Sequence, residues 1–178
     1  MANWAVTTTP HDMTRVDVPT GLPFEHFREA FERAAPNFDP QPFQRIADAG
    51  GPWSEVEAAA AVMAPHQLMR YASIDATALF ALAGHHTKAI EYLLGNHVIA
   101  ETMFRHDPRA MLYAPLRVLV FSDAEGNAIW SMDRPGDAFG SLGNPDITAV
   151  GYGLDAKVAA LLRVIGVDTG VAFDHQPA

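Results

Sequence analysis

The stretch EYLLGNHVIAETMFRHD, running from Glu91 to Asp107, brings His97, Glu101 and His106 within ten residues of one another. An imidazole that titrates near neutral pH can serve as a general acid or base, and a carboxylate beside it can orient the ring. In a helix, His97 and Glu101 lie four residues apart on one face. His106 lies nine residues from His97, about half a turn out of phase at 3.6 residues per turn. One regular helix therefore cannot offer both histidines to a single ion.

A zinc ion takes three or more protein ligands, and beyond His97 and Glu101 the third would have to come from His85, His86 or Glu91. No metal site is expected on that count. Haem needs only one axial histidine, which His97 or His86 could supply, and with no cysteine any haem would be held noncovalently. The cofactor is thus left open. His97 with Glu101 is the candidate catalytic pair. Asn96, Met103, Phe104, Trp130, Met132 and His86 are the candidate ligand contacts, because methionines and aromatics line apolar cavities. The same residue types also fill cores, and His85-His86 after Gly84 also reads as an exposed turn. Arg70-Tyr71 and Asp133-Arg134 read as surface or hairpin pairs.

The positioning elements follow from periodicity and punctuation. Met13 to Val18 alternates as a strand. Phe24, Phe27, Ala30, Phe31 and Ala34 recur at helical spacing over Pro23–Ala35, with proline in the first turn. Pro36 to Pro52 holds four prolines and a Gly-Gly pair and reads as loop. Ser54 and Glu57 have the capping-box spacing for a helix running to Ala64. Leu68–Ile74 and Ile90–Leu94 read as strands, Asp75–Ala83 and Val98–Arg105 as helices, and Asp107-Pro108 as the opening of a short turn. Pro115–Ser122 and Ala128–Asp133 form a hairpin through Gly126-Asn127. Gly136–Thr148 reads as loop, Leu154–Ile165 as an amphipathic helix, and 167–178 as a loose tail. This order predicts one α+β domain over 1–178, a curved and mostly antiparallel sheet covered by helices.

Composition sets outer limits. With 49% hydrophobic and 19% charged residues the chain is ordinary globular material. The net charge of −9 and the scattered basic residues count against nucleic acid as a partner. The apolar runs fall far short of the roughly 20 residues of a bilayer span, so no membrane partner is expected. The N-terminus lacks the pattern of a secretory signal, and a cytoplasmic location is the expectation.

The second half carries a recognisable order of short motifs. These are Gly95-Asn96, Asp107-Pro108-Arg109-Ala110, Ala114-Pro115-Leu116-Arg117-Val118-Leu119-Val120, Glu125-Gly126 and Pro135, with Ile74-Asp75 upstream. In order and spacing they resemble the signature of the domain-of-unknown-function 302 family, well over 67–165 and loosely over 13–35. The resemblance implies a TBP-like α+β fold, frequent pairing as homodimers, and no established activity. Three departures stand out. His97 replaces the family's proline after Gly-Asn, Ala76 replaces the histidine of its Ile-Asp-His segment, and 36–66 reads as a helical insertion.

The functional expectation is a binding protein for a small, partly apolar molecule, held between sheet and helices with Ser54–Ala64 as a lid. Three rivals remain. One is a lyase, isomerase or hydrolase using His97 and Glu101, another is noncovalent haem or metal binding through His97, and the third is a homodimeric interaction module.

Overall fold

Five segments, some alternating apolar and polar residues and one a nearly continuous apolar run, each form a strand. The computed structural model, in which residues 5–174 are described, orders them β1 (Arg15–Pro23), β5 (Asn127–Asp133), β4 (Leu116–Ser122), β3 (Ala89–Gly95) and β2 (Met69–Asp75) across one antiparallel sheet. Period-two alternation sends Val16, Val18, Ile90, Tyr92, Leu94, Val118, Val120 and Trp130 to one face. On that face lie α1 (Phe24–Ala34) and α7 (Pro145–Val164), which contribute Phe27, Phe31, Ile147, Leu154, Val158 and Leu161 to the same core. The opposite face carries Arg15, Asp17, Glu91, Leu93, Arg117 and Leu119. It forms the floor of an open groove of about 790 Å³. The α+β architecture is the expected one. Among the described residues, no helix is long and apolar enough to cross a membrane.

Several expected elements are corrected. The segment 36–52 is not all loop: Asp39 accepts a hydrogen bond from Gln41 N–H and opens α2 (Pro40–Asp48). Proline in the first turn is compatible with a helix start, which composition alone had hidden. The next helix, α3 (Trp53–Met63), begins one residue before Ser54, and Pro52 occupies its N-cap, so the capping box does not form. A five-residue helix, α4 (Thr77–Ala81), stands within the longer one expected over 75–83.

The stretch 136–148 holds α6 (Pro135–Gly140) and the start of α7, which begins nine residues before Leu154. Asn144 caps α7 by accepting from the N–H groups of Asp146 and Ile147. Gly151, in its second turn, lies where α6 crosses. A Cβ there would stand 3.0 Å from Phe139 Cβ and 3.2 Å from the Gly136 Cα. The tail expected to be loose over 167–178 is anchored as far as it is described. Val167 is buried, and Phe173 packs edge-on against Trp130 at 6.1 Å. Residues 175–178 lie outside the described residues.

Candidate functional site

His97 opens α5 (His97–Phe104), and the local sequence explains how it is held. Asn96 ends the extended strand and caps the helix. Its side-chain oxygen accepts from Val98 N–H, and its amide donates to the Gln67 carbonyl at 3.0 Å. Gly95 makes room on the other side, because a Cβ there would lie 2.9 Å from Cε2 of Tyr71. Tyr71 itself sits where the β2–β3 register slips: Arg70 pairs with Leu94, but Ala72 pairs with Leu93. The extra residue of such a bulge re-aims its side chain. Tyr71 Oη consequently meets Nδ1 of His97 at 3.0 Å.

Three aromatic rings enclose the imidazole. Phe38 and Phe43 meet it edge-on at 4.9 and 5.1 Å between centroids, and Tyr71 lies tilted at 5.1 Å. Phe38 reaches this position because residues 36–38 run beside the edge strand, with Phe38 N–H donating to the Arg70 carbonyl and Arg70 N–H to that of Pro36. Burial disfavours the charged forms of both partners. It lowers the His97 pKa below the ordinary histidine value, and it pushes the Tyr71 phenol up to about 12 against the weaker opposing effect of its bond to His97. A neutral imidazole is thus joined to a neutral phenol. The hydroxyl can donate or accept, so Nε2, which has no partner among the described residues, is available as an N–H donor or as a base.

His97 faces a pocket of about 340 Å³, within the usual range of small-molecule sites. Phe43 from α2 and Trp53 and Val56 from α3 form one wall. Ala100, Glu101 and Phe104 from α5 and Met111 from the 3-10 turn Pro108–Leu112 form the other. His97 and Glu101, four residues apart on one face of α5, line this cavity, and Phe104 lines it too. The proposed catalytic partnership is different. The Glu101 carboxylate is held by the guanidinium of Arg105, one turn on, and Tyr71 takes the place beside Nδ1.

The remaining candidates are dispersed. Trp130, Met132 and Met103 are buried in the main core, where side chains fill the space between sheet and helices in which a cavity was expected. Asn96 is a helix cap. His86 is exposed on the loop before β3, and the seven residues of that strand place it roughly 20 Å from His97 at about 3.3 Å per residue. His85 lies beside Phe80 on the same loop, and Glu91 pairs with Arg117 at 3.6 Å. His106 approaches Asp146 at 3.9 Å. Among the described residues no three histidine or acidic side chains gather to hold a metal ion.

Tyr71, Phe38, Phe43 and Trp53 were missed by sequence reasoning. The Arg70–Tyr71 pair is no surface feature: Arg70 is buried and donates to the Ala35 and Glu32 carbonyls. Neither the bulge nor the path of 36–38 leaves a periodic trace in the sequence.

The model of the family described as "Domain of unknown function DUF302" matches residues 54–165, a stretch that begins inside the segment read as an insertion. No curated protein matches the chain. A solved structure, "Crystal structure of uncharacterized conserved protein DUF302 from Bacillus stearothermophilus", is similar with a TM-score of 0.57 at 14% identity. The similarity covers 85% of this chain and 95% of that one. At that identity the likeness concerns the fold.

Proposed function

The chain belongs to the family of domain of unknown function DUF302, so its activity has to be read from its own site, and we propose that it binds a small, partly apolar molecule against His97. One observation carries this reading. Trp53, Phe104 and Met111 are large apolar side chains left 42%, 51% and 49% exposed, and all three converge on the concavity beside the half-buried imidazole. Converging apolar exposure of this kind marks a surface that is covered in use. The α2–α3 hairpin packs through its own small cluster of Ala60, Ala64 and Met69 with Phe38, Phe43 and Met63, apart from the main core. That separation suits a lid.

Ligand binding to the folded state alone stabilises it by mass action. A compound at 100 times its Kd adds about 2.7 kcal/mol, which corresponds to roughly 5–10 °C in Tm for a domain of this size. A thermal-shift screen of small apolar compounds, with native mass spectrometry of the protein as purified from its source, tests the reading. Absence of any bound compound together with absence of any shift contradicts it.

The His97–Tyr71 hydrogen bond favours a second reading, an acid–base enzyme with Nε2 as the working atom and Tyr71 fixing the ring. It requires the same pocket. A substrate turned over at an undiminished rate by His97→Ala would remove it.

A further inference from the structure

We propose that the pocket beside His97 selects an uncharged, flat aromatic compound carrying a single hydroxyl group. This rests on the binding reading above and adds the chemical class of the ligand.

Absence of net charge follows from the rim. Glu101 is the acidic residue lining the pocket, and Arg105 holds both of its carboxylate oxygens. An organic cation would have to compete with that guanidinium. No lysine or arginine lines the pocket, so an organic anion would meet apolar walls, the imidazole and the like-charged Glu101 carboxylate. Burying a charge without a partner is unfavourable by far more than burying a hydroxyl that is hydrogen-bonded.

Flatness follows from the two walls. Trp53 from one wall and Phe104 from the other make no ring contact with any aromatic side chain among the described residues, although Phe38, Phe43, Tyr71 and His97 form one cluster of ring contacts. Their ring surfaces are open to a third ring, and Met111 adds a sulfur of the kind that favours aromatic contact. The smaller side chains of Val56 and Ala100 line the same pocket.

The hydroxyl follows from His97. With Nδ1 committed to Tyr71, the imidazole offers one polar atom, Nε2, which is a donor in one tautomer and an acceptor in the other. A hydroxyl matches either state, whereas a carbonyl, which only accepts, matches one.

Isothermal titration calorimetry on the full chain tests the assignment with four probes of similar size: 2-naphthol, naphthalene, 2-naphthoate and decahydro-2-naphthol. 2-Naphthol should bind in one-to-one ratio. Naphthalene, which lacks the hydrogen bond, should bind about five-fold more weakly, and the saturated alcohol also several-fold more weakly. The carboxylate should bind at least roughly ten-fold more weakly. In His97→Leu, naphthol and naphthalene should bind alike, and Phe104→Ala should weaken both. Tighter binding of 2-naphthoate, or equal binding of the saturated alcohol, overturns the ligand class while leaving the pocket as a binding site. Binding of none of the four overturns the ligand class and leaves the binding reading to the thermal-shift screen, and binding unaffected by Phe104→Ala overturns this pocket as the site.

Discussion

Tyr71 Oη and His97 Nδ1 stand 3.0 Å apart, joining a bulge in β2 to the first turn of α5. The two residues are 26 positions apart in sequence, and the partner of Nδ1 is a phenol, not a carboxylate. That bond fixes the plane of the imidazole and decides which nitrogen is left for a ligand.

Tyr71→Phe removes the hydroxyl and keeps the ring that packs on Phe38 and His97. The loss of one hydrogen bond of about 1 kcal/mol should weaken 2-naphthol binding roughly five-fold. The Tm should fall by only a few degrees. Calorimetry and thermal denaturation of the same preparation check both. An unchanged affinity would mean that Tyr71 does not position His97.

Gly95→Ala places a methyl group 2.9 Å from Cε2 of Tyr71, whose ring is hemmed in by Phe38 and His97. Overpacking of this kind costs about 1–3 kcal/mol. Urea denaturation should show that loss, and the Tyr71–His97 contact should be displaced. Alanine tolerated without cost would show that the ring is free to move.

The pH dependence follows from burial. A histidine whose pKa is lowered in the folded protein binds its proton more readily when unfolded. Its contribution to stability is therefore complete above the unfolded value of about 6.5 and is lost as pH falls from there toward the lower folded pKa. Tyr71, raised to about 12, stays a neutral phenol throughout. Affinity for an uncharged ligand should be flat between about pH 7 and 8 and decline only on the acid side of the ordinary histidine range. His97→Asn, which has no titrating group, should abolish the acid-side decline. A decline that survives in His97→Asn would assign the titration to another group.

Gly151→Ala decides between local propensity and packing. In an exposed helix the change would add about 1 kcal/mol of stability. Here the methyl group would meet Phe139 Cβ at 3.0 Å and the α6 backbone at 3.2 Å, so a net loss is expected. Thermal denataturation gives the sign directly: a rise in Tm would mean that α6 and α7 can separate at no cost.

The strands and α1 were legible because period-two and helical spacing leave repeated marks, as in Val16 and Val18 or Phe24, Phe27 and Phe31. The helix starts at Pro40 and Pro145 were hidden in stretches of proline and glycine, where a cap by Asp39 or Asn144 outweighs composition. At the site, the shared face of His97 and Glu101 could be read from spacing within one helix. Its partners could not. Tyr71 is aimed by a one-residue slip in strand pairing, and Phe38 by a bridge between residues 37 and 70. Trp130 and Met132 belong to the same residue types as Phe104, and only tertiary placement separates core from pocket.

The central claim is that Nε2 of His97, and not Nδ1, meets a ligand in the apolar pocket. The most direct measurement is long-range proton–nitrogen NMR of the imidazole rings in ¹⁵N-labelled protein, with and without 2-naphthol. The account predicts that Nε2 of His97 shifts while its Nδ1 and the rings of His85, His86 and His106 stay in place. An unmoved His97 under conditions where calorimetry shows binding, or a shift centred on the other histidines, would contradict it.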